Sequence, residues 1–324
     1  MKCQVNRWWA ELPPAAGAAV MATAIISIGL HLTGYEVLSR IGLVLAVALW
    51  LLLAGDFAAR FLANRTRWSG EADTPPALTA VAATTVLGTR LAALGATGTA
   101  AALLALAAAL WPVLMIAVVR HWQRAMPGAA FLVCVATQGL GVLAATLSLA
   151  GRGDWLARAA LAALVLGLVL YGDALVRFDP REVRDGAGDQ WIGGGALAIS
   201  ALTASKLTLS PLWTGAAHTA LRTLTLVLLG LNLAACAVLL AAEAYRPRPG
   251  YDIRRWSTVF PVGMTAVAAL SASAATGVAG LHTLGEVVLW IALALWLLVL
   301  AGFLRGRRQP PCRSSQLGRR TGAG

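Results

Sequence analysis

The chain has 324 residues, 59% apolar and 12% charged, with a net charge of +12 at neutral pH and a mean hydropathy of +0.74. That balance excludes an ordinary water-soluble domain and, with it, most enzyme classes. The positive charge is scattered over short segments and a tail, which argues against a nucleic-acid partner and for attraction to membrane lipids through their head groups.

A hydrocarbon core of about 30 Å takes about 20 residues of apolar helix. Ten segments approach that length: residues 14–34, 37–61, 76–94, 96–119, 128–150, 156–178, 191–206, 221–244, 257–275 and 280–304. The expected fold class is an all-α integral membrane protein, with a transmembrane domain over 14–304. A short cytoplasmic segment, 1–13, precedes it, and a basic tail, 305–324, rich in Arg, Gly, Ser and Pro, is expected to be disordered. The first segment follows two prolines and has no small-residue cleavage site, so it reads as a retained helix and not a signal peptide. With the N-terminus inside, 20 of the 26 lysines and arginines fall on the cytoplasmic side, leaving Arg40, Arg90, Arg152, Arg158, Lys206 and Arg222. This bias predicts a multi-pass protein of the cell membrane with both termini cytoplasmic. Trp122, Trp191 and Trp256 flank cytoplasmic ends and Trp155 and Trp213 flank outer ones, whereas Trp50, Trp111, Trp290 and Trp296 lie deeper, as packing residues.

Taken in order, the segments alternate. Odd ones open on Pro14, Pro76, Pro127, Trp191 or Pro261 and continue in small residues, with a hydroxyl eight to ten positions later. The prolines mark helix starts or kinks. Even ones are richer in leucine, and two end alike, with Asp56 four before Arg60 and Asp173 four before Arg177. Glu243 falls in the same way near Arg246. Five hairpins repeated in phase are the pattern of an internally symmetric transporter or channel.

Cys3, Cys134, Cys236 and Cys312 are far apart, and His31, His121, His218 and His282 are isolated, so neither a disulfide framework nor a metal site is indicated. There is no phosphate-binding loop and no nucleophile with a nearby base, so no catalytic residue and no cofactor is expected. No carboxylate pair falls mid-membrane, which speaks against a carboxylate-driven pump. The odd segments offer instead Thr23, Ser27, Thr85, Thr89, Thr137, Gln138, Ser200, Thr203, Thr265 and Ser271. Weak donors without fixed negative charge could line a path for small anions, or could hydrogen-bond one helix to the next. Arg90, late in the third segment, either attracts anions or snorkels to the outer interface.

The strongest local signature is the run from Tyr251 to Met264, which carries Trp256, Phe260 and Pro261. With residues 12–23, 135–138 and 191–200 it resembles the tellurite-resistance/dicarboxylate transporter family, whose members include bacterial tellurite-resistance proteins, yeast malate and sulfite permeases and plant slow anion channels. The resemblance implies five hairpins around a pseudo-five-fold central pore lined by the odd helices, and commonly a homotrimer. It also implies that Phe260 closes the pore; the plainer alternative is a packing aromatic beside a helix-starting proline. The function expected is passage of small anions, with tellurite, sulfite, monovalent anions and C4-dicarboxylates such as malate as candidates. The alternatives are proton-coupled dicarboxylate symport and a non-conducting membrane scaffold or sensor.

Overall fold

The computed structural model describes residues 16–63, 70, 72–247 and 252–306. Pro14, Tyr251, the segment 1–13 and the tail beyond residue 306 lie outside the described residues. Among the described residues there are ten long helices: α1 (Gly17–Leu32), α2 (Glu36–Ala63), α3 (Thr79–Ala93), α4 (Thr97–Arg120), α5 (Leu132–Leu149), α6 (Asp154–Arg177), α7 (Ile192–Thr208), α8 (Gly215–Tyr245), α9 (Trp256–Thr276) and α10 (Gly280–Gly306). Among the described residues extended pairing is confined to a single bridge between Met126 and Phe178.

Seven of these helices, α2, α4, α5, α6, α8, α9 and α10, are long and apolar enough to cross a membrane, α5 and α9 together with the turns that lead into them. The chain is therefore a multi-pass membrane protein. The remaining three, α1, α3 and α7, have 16, 15 and 17 residues. Single turns of 3₁₀ helix, Pro75–Leu78, Gly128–Phe131, Asp189–Trp191 and Ile253–Arg255, lead into α3, α5, α7 and α9. Pro76 lies in the first of these and Pro127 immediately precedes the second, where a missing N–H costs nothing because first-turn donors have no helical partner. Pro261 differs: it lies inside α9, so the carbonyl four residues before it, that of Ser257, loses its helical partner. The largest departure from the expected boundaries is α8, which starts at Gly215 and not at residue 221. Its first turns carry His218 and Thr219, and only then does the apolar run begin.

Consecutive helices pair as hairpins, and each odd helix also packs beside the next odd one. Because α9 returns to pack on α1, the five odd helices close a ring. Each even helix lies outside it, against its own hairpin partner and the following odd helix. Contacts between ring neighbours ascend together: Cys134 and then Gly141 of α5 meet Ser200 and then Thr203 of α7, while Gly195 and then Ser205 of α7 meet Pro261 and then Ser271 of α9. The ring helices thus run parallel.

Small residues make that ring possible, since without water between the helices association rests on close packing and not on hydrophobic burial. A Cβ on Gly139 would stand 2.3 Å from Thr85 Oγ1, and one on Gly128 would stand 2.3 Å from the carbonyl oxygen of Asp189. The outer helices face the other way, with Val37, Val44, Leu62, Val169, Val176 and Leu298 all exposed. An apolar exterior over a tightly packed interior is the inverse of a soluble bundle and suits lipid as solvent.

Candidate functional site

A helix turns by about 100° per residue, so each ring helix presents four arcs: to the ring neighbour on either side, to the outer helices and to the middle. Contacts sort the residues among them. On α9, Pro261 and Ser271 meet α7, Thr265 meets Asn232 of α8, Leu270 meets Gly285 of α10, and Gly263 meets Ile25 of α1. What remains, between α1 and α7, is the arc of Phe260 and Val267, seven residues apart. Phe260 is 2% exposed.

The corresponding arcs are those of Met21 and Ile28 on α1, Ala82 and Thr89 on α3, Val135 and Val142 on α5, and Ile192, Ile199 and Lys206 on α7, the residues left over by contacts to neighbouring helices. These central arcs are apolar except for Thr89 and Lys206. A seven-residue spacing is the signal that sequence reading missed.

The hydroxyls expected along a path have other partners. Thr23 accepts from Trp296 Nε1 of α10 at 3.0 Å, and Thr137 accepts from Trp111 Nε1 of α4 at 2.9 Å. Thr84, one residue before the expected Thr85, accepts from Trp50 Nε1 of α2 at 2.9 Å, and Thr265 accepts from Asn232 Nδ2 of α8 at 2.9 Å. In four of the five joints, then, the outer helix of one hairpin clamps a threonine of the next ring helix. At the fifth, between α6 and α7, the corresponding Ser200 donates to its own Ala196 carbonyl and faces Cys134 of α5.

Ser27 and Ser39 exchange hydrogen bonds to each other's carbonyls at 2.7 and 2.6 Å, joining α1 to α2. Thr85 lies against Gly139 of α5. Gln138 donates to the Leu164 carbonyl of α6 at 3.1 Å, and Thr203 donates to the Ile199 and Gln138 carbonyls. Ser271 accepts from Ser205 at 2.8 Å. Thr89 donates only to the Thr85 carbonyl in its own helix. The deep tryptophans read as packing residues in the sequence are the donors in three of the four clamps.

Arg90 neither snorkels nor faces the middle. It is fully buried, with Nε and Nη2 on Ser39 Oγ at 3.0 and 2.8 Å and Nη2 on Glu36 Oε1 at 3.1 Å. Glu36 also accepts from Arg40 Nε and lies 2.7 Å from His31 Nδ1. The buried base thus shares one carboxylate with a histidine and a second arginine.

At the end where the ring helices begin, ion pairs gather around the rim. Asp56–Arg60 and Asp173–Arg177 pair at 2.8 and 3.1 Å, as the spacing predicts. Glu243 meets Arg255 at 2.8 Å, while Arg246 turns to Asp185. In the connecting segments, hydrogen bonds from Arg254 hold the Asp252 carboxyl below its ordinary range. Burial, reinforced by Asp189, Asp179 and Asp185, pushes that of Glu182 up. A separate cavity of about 300 Å³ opens between α2 and α4 over the outer face of α3, lined by Trp50, Phe57, Ala80, Ala83, Leu106 and Leu110 with Asp56 and Arg60 also in its wall. It lies behind the Trp50–Thr84 clamp, outside the ring.

Residues 11–304 match the family model described as SLAC1, voltage-dependent anion channel. The chain belongs to that family. Its function is accordingly the movement of anions across a membrane, and it is not an enzyme. Membership also places the chain in the tellurite-resistance/dicarboxylate transporter group that its motifs resemble. No curated protein matches the chain.

Proposed function

We propose that small anions cross along the axis of the five-helix ring and that Phe260 gates the passage. The observation that carries this reading is the sorting of arcs: apart from Thr89 and Lys206, the polar groups of the ring helices point to neighbouring helices, and elimination leaves Phe260 to the central arc. Ten spans with both termini cytoplasmic, in the cell membrane, fit the even helix count and the basic rim at one end. Pseudo-five-fold symmetry fits the repetition of the clamp in four of five joints. An apolar passage suits an ion that sheds part of its water and is not held tightly enough to stay. The basic segments at its entrance raise the local anion concentration.

Tellurite, sulfite, monovalent anions and C4-dicarboxylates are the candidate cargoes, and a homotrimer in contact with membrane lipids is the assembly the family resemblance suggests. The test is current in planar bilayers for the natural chain and for Phe260→Ala. A rise of about tenfold or more in anion-selective conductance is expected from removing a ring that fills a narrow apolar path. Absence of any flux in both proteins would sink the reading in favour of a scaffold, and alkalinisation of the medium during malate uptake would replace it with proton-coupled symport.

A further inference from the structure

Lys206 is the one residue of α7 that is not buried; all sixteen others, Ile192–Ser205 with Leu207 and Thr208, are enclosed. The helix is walled by α5, α8 and α9, with α6 behind it. Gly193 faces Phe131 in the turn that leads into α5, Ser200 and Thr203 face α5 itself, Gly194 and Thr208 face α8, and Gly195 and Ser205 face α9. Lys206 is seven residues from Ile199 and fourteen from Ile192, on the arc that these contacts leave open, so its accessible space lies on the axial side. Among the described residues no carboxylate and no hydrogen-bond acceptor meets its ammonium group.

Its height on the ring follows from register. Gly88 of α3 packs on Leu143 of α5, and Gly141 of α5 packs on Thr203 of α7, so residues 88, 143 and 205 are level. Lys206 therefore shares a layer with Thr89, the other polar residue of the central arcs. Arg90 occupies the same layer but is turned outward and paired with Glu36. One cation in that layer is compensated and the other is not.

From this geometry we infer that Lys206 forms, with Thr89, an anion-binding subsite at the end of the passage away from the arginine-rich rim. The inference rests on the axial reading of the ring. The ligand class is a small inorganic or carboxylate anion carrying one or two negative charges. An ammonium in an apolar, poorly solvated wall attracts an anion far more strongly than it would in water and repels a cation by the same physics. Thr89 carries no competing negative charge, and its hydroxyl hydrogen, held at rest by the Thr85 carbonyl at 2.9 Å, turns to the anion only by leaving that bond. A lysine in the last turn also eases the partial negative charge of its helix end, and that simpler role sets the control.

The experiment uses the full chain in planar bilayers as Phe260→Ala, Phe260→Ala/Lys206→Met and Phe260→Ala/Lys206→Arg. Expected in the methionine variant are a fall of roughly threefold or more in chloride conductance and a reversal potential moved toward that of a non-selective path, with arginine restoring both. Unchanged conductance and selectivity in the methionine variant overturn the inference, and a lower melting temperature with unchanged selectivity assigns Lys206 to the helix end alone. No current in Phe260→Ala itself would strike the axial reading, a distinct failure. Accessibility is read separately by Lys206→Cys in a chain whose four native cysteines are replaced by alanine. Its thiol is expected to react with a water-soluble anionic methanethiosulfonate in proteoliposomes, and failure to react overturns the placement of residue 206 on an open passage.

Discussion

Arg90 on α3 and Lys206 on α7 stand in one layer of the ring, yet their surroundings differ in every respect that electrostatics weighs. Arg90 is enclosed, bonded to Ser39 and Glu36, and shares the carboxylate of Glu36 with His31 and Arg40. Lys206 has access to open space and no partner among the described residues. A base buried with a carboxylate belongs to the architecture, because its charge is already answered. A base left unanswered in an apolar wall is available to a passing ion.

The contrast is broken most forcefully on the Arg90 side. Glu36→Leu leaves an enclosed guanidinium with only the Ser39 hydroxyl as partner and is expected to give the largest loss of stability of the variants considered, because it strands a buried charge. Arg90→Leu should cost less, and the double variant should recover much of the loss, since replacing both members avoids stranding a charge. Thermal unfolding of the purified protein in detergent measures all three, and equal losses in the two single variants would contradict the asymmetry. Smaller effects are expected at the clamps. Trp111→Phe removes one hydrogen bond to Thr137, and Thr137 keeps its own bond to the Val133 carbonyl, so a cost of about 0.6 kcal/mol is expected, alike for Trp50→Phe and Trp296→Phe.

Lys206→Met, by contrast, should leave the unfolding free energy within about 0.5 kcal/mol of the natural chain's; a larger loss would reveal a structural partner and erase the difference from Arg90. The smallest effect lies at the rim. Because the Glu182 carboxyl is raised by burial and by neighbouring acids, the folded chain holds that proton more tightly than the unfolded one. Stability therefore falls as pH rises from the ordinary carboxylate range through the raised folded value. Glu182→Gln should flatten that part of a melting-temperature profile against pH.

Much of the helix pattern was legible in the sequence, because apolar run length records membrane-crossing helices directly. Residues 280–304 foretell α10 almost to its ends, and the spacing of Asp56 to Arg60 and Asp173 to Arg177 foretells two ion pairs. The orientation of the ring helices was not legible. A helix enclosed on every side has no polar face to mark, so Thr137 and Gln138 look available in the sequence although Trp111 and the Leu164 carbonyl engage them. The sequence offers Arg90 only as an anion-attracting or an interfacial base because its partners, Ser39 and Glu36, lie 51 and 54 residues away on another hairpin. Glu243 was matched to Arg246 by proximity in the chain, whereas the fold brings Arg255 to it.

The missing clamp between α6 and α7 has a mechanical consequence. Four staves of this barrel are pinned to the hairpin before them by a side-chain hydrogen bond, but α7 leans on α6 through packing alone at that height, and below it three consecutive glycines, Gly193, Gly194 and Gly195, seat it against Phe131, α8 and α9. Because Thr203 and Ser205 tie this stave to α5 and α9, the seam without a side-chain bond among the described residues is the outer one, toward α6.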